Sequence, residues 1–344
     1  MRYLGMQKHS HQYWLDLMNQ SKYKTSENDS YNQGPLVSEL EHRVSKLLGK
    51  PKAMFFNKGT TCQLAALKTI CVTKNNKQII LHPQSHIALD EQDAYSHLMG
   101  LSAILIGAQN KPFTLQEIKN INTDVATLVL ELPLRRAGFK LTQWNELLKI
   151  RQWCNDHQVH FHMDGARLWE STHYYQKSLA EISSLFDSVY VSLYKGIGGM
   201  SGALLAGPEN LIQASKIWRN RLGSNMYCTF PALITGLEGL DNNLAHIHSW
   251  VERAHEIAKS LEYVKGLERE QPHTNGFQIR INAEKHSMNQ KLKVTEQKHQ
   301  MVLCKPFENT TNQEAIYTEI QVGPNHQQIS NSEIVDFFNA LIDS

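Results

Sequence analysis

The sequence predicts an α/β protein with a large domain built on a mainly parallel, seven-stranded type of sheet, followed by a smaller C-terminal α+β domain. Three observations lead to this fold class. Short apolar runs alternate with amphipathic stretches from residue 53 to residue 207, which is typical of strands joined by helices in a parallel sheet. Long helical patterns and then isolated apolar runs follow this region. The chain of 344 residues, 41% of them hydrophobic, is long enough to bury at least one large core.

The elements of the large domain follow in order along the chain. Apolar residues at helical spacing between positions 36 and 48 predict a first helix, which ends at Gly49 with Pro51 just beyond it. Amphipathic stretches predict further helices, the clearest of them at residues 144–157. Compact apolar runs predict the strands, at residues 53–56, 79–81, 103–106, 126–130, 159–163, 188–192 and 203–206.

The two ends of the chain differ from this alternating region. Residues 1–34 are polar and rich in turn-forming residues, which is typical of an arm rather than a core element. We therefore predict an N-terminal arm at 1–34, a large domain at 35–232 and a small domain at 233–344. Towards the C-terminus, helical patterns cover 208–222 and 231–263, apolar runs lie at 277–281, 301–303 and 316–322, and a last helix is predicted at 334–342.

Composition and charge exclude several classes of function. The 35 basic and 33 acidic side chains leave a formal net charge of +2, so no basic excess points to nucleic acid. The sequence has no run of roughly 18 apolar residues, as a membrane span requires, and its N-terminal residues lack the apolar core of a secretory signal. We therefore expect a cytoplasmic protein with no membrane partner. The five cysteines are scattered and are expected to be reduced thiols.

The strongest chemical signal is a pair of charged residues near the ends of two predicted strands. Asp164 follows the run at 159–163, Lys195 comes shortly after the run at 188–192, and a glycine directly follows each. Ligands of open α/β sheets bind at the carboxyl ends of the strands. A lysine there can form an imine with the aldehyde of pyridoxal phosphate (PLP), while an aspartate keeps the pyridine nitrogen protonated. The pair therefore predicts PLP as the cofactor, with Lys195 and Asp164 as catalytic and cofactor-binding residues.

Several motifs along most of the chain resemble those of the threonine aldolase and β-eliminating lyase family, whose members have the aspartate-aminotransferase-like fold known as fold type I. The resemblance implies a PLP-dependent lyase that acts on a small amino acid. The matching stretches are residues 29–35 (DSYNQGP), 47–60 (LLGKPKAMFFNKGT), 85–87 (SHI), 136–138 (RAG), 164–167 (DGAR) and 194–198 (YKGIG).

The resemblance assigns roles to residues whose chemistry suits them. Gly59 and Thr60 lie where a strand passes into an apolar helix, so their N–H groups and the threonine hydroxyl are expected to hold the cofactor phosphate. His86 corresponds to the family histidine that stacks on the cofactor ring, where an imidazole can also exchange protons as a catalytic group. We also assign Ser192, at the end of the strand before Lys195, to cofactor binding.

Two further residues are expected to meet the substrate. Arg167 corresponds to the family arginine near the cofactor and the substrate carboxylate, and a planar guanidinium suits two-point binding of a carboxylate. Tyr31 belongs to a motif that lies, in the family, at an active site made by two chains. The resemblance therefore implies a homodimer or a homotetramer, with Tyr31 reaching the substrate site of a neighbouring subunit.

Two histidines raise the question of a metal site. His160 and His162 are alternate residues of one predicted strand and so share a face of the sheet. A protein metal site needs at least a third ligand, and none follows at a suggestive spacing. We therefore expect no metal.

The sequence departs from the family pattern around the substrate. Leu134 stands where the family has a histidine, and Ala88 stands where a second histidine commonly follows Ser-His-Ile. Tyr194 replaces the small residue that usually precedes the lysine, and the segments at 223–227 and 319–323 lack the arginines expected there. These differences concern substrate binding more than cofactor attachment, so the chain resembles a divergent subgroup of the family.

Three functions remain open at this point. The first is aldol cleavage of a β-hydroxy amino acid, such as threonine or allo-threonine, to glycine and an aldehyde. The second is β-elimination or other PLP chemistry on an amino acid, because the electron-accepting machinery is common to all of these reactions. The third is a protein that binds PLP without turnover. The sequence does not determine the aldehyde part of the substrate, its stereochemistry or the number of subunits.

Overall fold

A computed structural model of the protein describes residues 1–310 and 315–343. The strands, numbered in chain order, are β1 (Arg2–Tyr3), β2 (Lys52–Phe56), β3 (Gln78–Leu81), β4 (Ser102–Leu105), β5 (Thr127–Glu131), β6 (His160–Gly165), β7 (Ser188–Ser192), β8 (Ala203–Gly207), β9 (Leu267–Arg269), β10 (Gly276–Ile281), β11 (Met301–Val302), β12 (Glu308–Asn309) and β13 (Ile316–Gln321).

The helices follow the same numbering. They are α1 (His11–Gln20), α2 (Pro35–Leu47), α3 (Gly59–Thr73), α4 (His86–Leu89), α5 (Ala94–His97), α6 (Leu115–Lys119), α7 (Trp144–Asp156), α8 (Thr172–Tyr175), α9 (Leu179–Ser184), α10 (Glu209–Arg221), α11 (Phe230–Asn242), α12 (Ile247–Ser260), α13 (Lys285–His299) and α14 (Asn331–Asp343). Short 3₁₀ turns lie at Arg135–Ala137, Leu168–Ser171, Leu244–His246, Leu261–Tyr263 and His326–Gln328.

The chain divides into two compact units, one of residues Ser10–Leu244 and one of Met1–His9 with Ala245–Ser344. The larger unit contains, within the described residues, a seven-stranded sheet in the order β2-β8-β7-β6-β5-β3-β4. Only β8 in this sheet runs antiparallel to its neighbours. The predicted α/β class with a mainly parallel sheet is therefore confirmed. Since the other six strands run the same way, their carboxyl ends share one edge.

Helix α3 is positioned by burial on almost all of its sides. Its buried residues include Cys62, Ala65 and Ala66, which pack with Phe56 of β2, and Leu64 and Leu67, which pack with apolar residues of β3. A helix that is apolar all round is held inside a core rather than on its surface. Because α3 follows β2 closely, and β2 runs in the same direction as the parallel strands, α3 begins at the edge formed by the carboxyl ends of the strands.

The smaller unit has its own antiparallel sheet. Within the described residues the strand order is β12-β13-β10-β9, and β1 pairs in parallel with β11. Helices α12, α13 and α14 belong to this unit. The predicted α+β character of the C-terminal part is confirmed by this arrangement.

The units differ from the predicted segments in detail. Residues 1–9 belong to the smaller unit and residues 10–34 to the larger one, whereas the sequence suggested one arm at 1–34. The helical pattern at 231–263 is interrupted after Asn242, because a 3₁₀ turn separates α11 from α12. The smaller unit begins within that turn rather than at residue 233. Residues 311–314 and 344 of the predicted small domain lie outside the described residues.

All five cysteines carry free thiols. Across residues 1–310 and 315–343, every helix is too short or too polar to cross a membrane.

Candidate active site

Two acidic side chains meet at the carboxyl ends of β5 and β6. Glu131 and Asp164 are paired in the register of these neighbouring strands, and Asp164 is only 2% exposed. Burial raises the pKa of both carboxyls, because removal from water disfavours the ionised form. The pKa of Glu131 is raised to about 7. The positive charges of Lys195 and His86 oppose the rise in the pKa of Asp164. Any cationic ligand group at this edge would favour the ionised aspartate.

Lys195 lies in the turn that connects β7 to β8. The N–H of Gly198 donates to the Lys195 carbonyl at 2.9 Å, which closes this turn. Burial lowers the pKa of Lys195 to about 8, and the positive charge of Arg167 lowers it further, while Asp164 acts in the opposite direction. A lysine with a lowered pKa has a larger neutral fraction near pH 7, and the neutral amine is the form that attacks an aldehyde.

The first turn of α3 offers unpaired backbone donors. The helix begins at Gly59 and Thr60, and its N-cap residue, Lys58, makes no side-chain capping bond. The first N–H groups of a helix have no partner within the helix and favour an anion. A Cβ atom on Gly59 would collide with the Tyr190 hydroxyl and lie 3.2 Å from the Tyr194 hydroxyl. Glycine is therefore required here, and two tyrosine hydroxyls lie beside the helix start.

His86 is held at both its backbone and its ring. It is the first residue of α4, and its N–H donates to Oε2 of Glu131 at 2.7 Å. Its ring Nδ1 lies 3.0 Å from Oε1 of Glu91. The hydrogen bond with Glu91 raises the pKa of His86, assisted by the charge of Asp164 and opposed by burial.

Arg167 lies in the loop after β6, and Ser192 lies at the end of β7. The Arg167 guanidinium carbon lies 5.3 Å from the centroid of the Phe139 ring. Ser192 is fully buried, its hydroxyl donates to the Ala166 carbonyl at 2.7 Å, and its own carbonyl accepts from the Trp169 indole at 3.0 Å. Ser192 therefore connects the end of β7, just before Lys195, to the loop that carries Arg167. Its assignment to cofactor binding stays a prediction.

Glu170 is a further buried carboxyl in the same loop. It is 1% exposed, and among the described residues its Oε2 atom has no hydrogen-bond partner. Its Oε1 atom packs against Gly196, so closely that a Cβ atom there would collide with it. Burial raises the pKa of Glu170 to about 7, and the charges of Arg167 and Lys195 oppose the rise.

The segment that carries Tyr31 is tied to the loop after α10. The Tyr31 N–H donates to the Tyr227 carbonyl at 3.0 Å, and the two rings meet edge to face at 5.4 Å between centroids. Asn32 donates through its side chain to the Ser224 carbonyl at 2.7 Å, and Asn57 donates to the same carbonyl at 3.1 Å. Tyr31 itself is 52% exposed and has a left-handed backbone, with φ of 50°. It is therefore anchored near the start of α3 while its ring faces outward.

The structure gathers most of the predicted residues at one edge of the large sheet. The charges of Asp164, Lys195, His86 and Arg167 act on one another. Gly59 joins this group through Tyr190, which is the register partner of Asp164 on β7. Ser192 lies behind the edge. The segment that carries Tyr31 is linked to it through Asn32, which shares the Ser224 carbonyl with Asn57 just before α3.

Three neighbouring residues were not identified from the sequence. Tyr190 could have been found, because it alternates with Ser188 and Ser192 on one face of β7. Glu91 and Glu170 gave no such signal, since Glu91 lies in irregular backbone between α4 and α5 and Glu170 lies in the short 3₁₀ turn Leu168–Ser171. Their approach to His86 and Gly196 depends on tertiary packing.

A cavity of about 430 Å³ lies at the opposite edge, near the amino ends of β6 and β7. Its charged lining is already paired: Lys74 donates to the Gln158 carbonyl at 2.8 Å, and Arg151 forms an ion pair with Asp187 at 2.8 Å. Within residues 1–310 and 315–343, no three His, Cys, Asp or Glu side chains are placed to hold a metal ion. The carboxyl edge is therefore the better candidate for the active site.

Comparisons with known proteins show which family the chain matches. The model of the family described as "Beta-eliminating lyase" matches residues 17–284, more than half of the chain. The low specificity L-threonine aldolase of Escherichia coli K12 is 26% identical over 269 residues, which are 74% of this chain and 78% of that protein.

Two solved structures are similar along almost the whole chain. One, from Listeria monocytogenes EGD-E, is assigned as an L-allo-threonine aldolase; it has 30% identity and a TM-score of 0.93, with 99% of this chain and 96% of that chain covered. The other, from Exiguobacterium sp. 255-15, is assigned as an aromatic amino acid beta-eliminating lyase/threonine aldolase; it has 28% identity and a TM-score of 0.93, with 100% and 97% covered.

The fold, the acidic pair beside a lysine of lowered pKa, and these matches lead to one conclusion. The family and its fold neighbours are PLP-dependent. The chain belongs to the threonine aldolase and β-eliminating lyase family and is an enzyme of the PLP-dependent aldolase and lyase class, of fold type I.

Proposed function

We propose that this chain binds PLP and cleaves a β-hydroxy amino acid, of the threonine or allo-threonine kind, to glycine and an aldehyde. The observation that carries the proposal is the combination of a buried carboxyl, Asp164, with Lys195, whose pKa is lowered to about 8, at the carboxyl edge of the sheet. The named activities of the similar proteins support the substrate class.

The residues at this edge fit PLP in both charge and shape. The uncapped start of α3 at Gly59 and Thr60 suits a phosphate, and the hydroxyls of Tyr190 and Tyr194 lie beside it as further donors. Asp164 suits a protonated ring nitrogen, because a cation beside a buried carboxyl stabilises its ionised form. Lys195 suits the aldehyde. When bound, PLP supplies an electron sink for the pair of electrons released when a bond to the substrate α-carbon breaks.

His86 is the residue proposed to move the proton of the β-hydroxyl. An aldehyde forms as the Cα–Cβ bond breaks only if the hydroxyl loses its proton, and a base within reach accelerates that loss. His86 is partly exposed, its backbone N–H donates to Glu131 of the acidic pair, and the pKa of its ring is raised. Arg167 is proposed to bind the substrate carboxylate, since a guanidinium offers two parallel donors.

We further propose that the active unit is a homodimer or a homotetramer, with Tyr31 contacting the substrate site of a neighbouring subunit. Its ring is exposed, while its backbone is fixed by Tyr227. A left-handed conformation at both Tyr31 and Asn32, with φ of 50° and 55°, is uncommon for residues other than glycine. Such backbone is often retained where it serves a site.

β-Elimination to pyruvate and ammonia is the second candidate. One observation favours it: Leu134, at the position of a family histidine, is 2% exposed and apolar. That position therefore offers no group for the β-hydroxyl. The name of the Exiguobacterium protein includes both activities.

The products of the reaction distinguish these candidates. The purified chain with added PLP should be incubated with threonine, allo-threonine and phenylserine, and separately with serine and β-chloroalanine, and the carbonyl products identified by mass spectrometry. The proposal expects glycine plus the matching aldehyde from the first group. Pyruvate from the second group alone would support β-elimination, and PLP binding without any product would support a protein without turnover. The Lys195→Ala variant controls for reactions of free PLP.

A further inference from the structure

The ring of His86 has one hydrogen-bonded nitrogen and one open nitrogen. Nδ1 lies 3.0 Å from Oε1 of Glu91. Nε2 is on the far side of the imidazole, and across residues 1–310 and 315–343 it makes no hydrogen bond. An ionised carboxylate can only accept, so this contact is a hydrogen bond when Nδ1 carries the proton. In neutral His86 the lone pair is then on Nε2.

Glu91 is well suited to hold that tautomer. It is 7% exposed, and its second oxygen, Oε2, is buried without a hydrogen-bond partner in the described part of the chain. A buried carboxylate that lacks other donors depends on the one donor it has. The His86 ring is therefore the main compensation for the charge of Glu91, which couples the two side chains closely.

The backbone around both residues is fixed. Gln92 and Asp93, directly after Glu91, are both left-handed, with φ of 54° and 53°. This double left-handed turn separates α4 from α5 and directs the Glu91 side chain inward. On the other side, Glu131 accepts the His86 N–H at 2.7 Å. Backbone of this uncommon kind persists where the surrounding structure over-determines it.

We propose that Glu91 is a positioning residue that fixes His86 as the Nδ1–H tautomer and leaves Nε2 as the atom that takes the substrate's β-hydroxyl proton. The pair provides one oriented base at a site where Leu134 and Ala88 stand at the positions of two family histidines. The proposal rests on the proposed function for the identity of the proton, but the tautomer and charge of His86 can be measured without substrate.

The charged groups around His86 determine how its pKa should change when the charge of Glu91 is removed. Glu91 and Asp164 favour the imidazolium, Lys195 opposes it, and Asp90 on the same turn is also close enough to interact. Glu131 touches only the backbone N–H of His86. Among these groups only Glu91 contacts the ring nitrogen. Removing its charge should therefore lower the pKa of His86 and, for a base, move the acid limb of the activity profile to lower pH.

The test is nitrogen NMR of the full-length chain labelled with ¹⁵N-histidine, first as purified and then with PLP added. The His86 signals are assigned by their loss in His86→Asn. Wild-type neutral His86 should show a protonated Nδ1 and an unprotonated Nε2. In Glu91→Gln the pKa of His86 should fall, the acid limb of kcat should move to lower pH, and the plateau of kcat should fall because a weaker base remains.

Asp90→Asn is the matched control. This change removes the negative charge of the residue directly before Glu91. The Asp90 carboxylate pairs with Arg136 and does not touch the His86 ring. The control should leave the His86 tautomer unchanged and move the pKa of His86 less than Glu91→Gln does. Equal pKa values of His86 in wild type and Glu91→Gln would overturn the proposal.

The wild type alone also tests the tautomer. A neutral His86 with its proton on Nε2 would overturn the proposal even if Glu91→Gln failed to fold. If the NMR results are as expected but no aldehyde forms from any β-hydroxy amino acid, the positioning role stands and the proposed function fails. The reverse combination, with aldehyde formed and no change in Glu91→Gln, rejects the positioning role alone.

Discussion

The carboxylate of Glu170 packs directly against the α-carbon of Gly196, the residue that follows Lys195. Glu170 belongs to the loop after β6 and Gly196 to the turn after β7, so this contact fixes the distance between the segments that carry Arg167 and Lys195.

Gly196→Ala is expected to destabilise the protein by about 1–3 kcal/mol, the usual cost of overpacking a filled site. The new Cβ would collide with Glu170, which is 1% exposed and has little room to move. The free energy of unfolding from urea titration measures this loss. In the double variant with Glu170→Ala the collision is absent, so the effects of the two changes should not add. Strict additivity would show that Glu170 is not what excludes a side chain at Gly196.

Glu170→Gln is expected to make stability less dependent on pH. The pKa of Glu170 is raised from 4.5 to about 7 in the folded protein, so the native state holds a proton that the unfolded chain has lost. The stability from this group is fully present below pH 4.5 and is lost as pH rises through 7, a change of at most about 3 kcal/mol. Glutamine has no such titration.

The difference in free energy of unfolding between Glu170→Gln and wild type should therefore shift in favour of the variant from pH 4.5 to pH 8. Urea titrations at the two pH values measure it. Parallel pH dependence of the two proteins would contradict a raised pKa for Glu170.

Lys195→Ala is expected to abolish covalent attachment of PLP. Borohydride reduction of the wild type followed by peptide mass spectrometry should locate the pyridoxyl group on Lys195. Lys50 provides a matched control, because burial lowers its pKa to about 8 as well, while it donates to the Phe186 carbonyl. Lys50→Ala should retain the adduct on Lys195, and an adduct found on Lys50 would show that a lowered pKa alone directs the reaction.

Asp164→Asn is expected to reduce kcat by on the order of 100-fold, because the amide keeps the shape of the side chain but loses the charge that stabilises a protonated ring nitrogen. PLP should still bind, since Lys195 and the start of α3 are unchanged. Steady-state kinetics together with the visible absorbance of bound PLP measure the two effects separately. Turnover equal to that of wild type would remove Asp164 from the mechanism.

A mixture of Lys195→Ala and Tyr31→Ala chains is expected to be more active than either variant alone. If Tyr31 acts on the neighbouring site, some mixed dimers regain one site with both residues intact. Activity should be followed after subunit exchange has been verified by native mass spectrometry of differently tagged chains. A fully active monomer in sedimentation, or no gain in activity despite exchange and a severe Tyr31 defect, would rule out the shared site.

The sequence by itself determined the fold class and the central residues of the candidate site. Apolar runs of strand length and apolar residues at helical spacing are local patterns. Each strand or helix could therefore be predicted without knowing which other elements it packs against. Asp164 and Lys195 could be located because each closely follows an apolar run of strand length, and the strand ends of a parallel sheet gather at one edge. The same reasoning located Gly59 at the start of α3.

Tertiary structure alone decided how those residues are supported and protonated. The antiparallel direction of β8, the division between the two units and the break after Asn242 depend on packing over long distances in the chain. The contacts of Glu91 with His86 and of Glu170 with Gly196 come from short turns, which are too brief to show a period in the sequence. The raised pKa of Glu170 and the lowered pKa of Lys195 follow from burial, and the raised pKa of His86 follows from its contact with Glu91; both causes belong to the folded surroundings rather than to the residue.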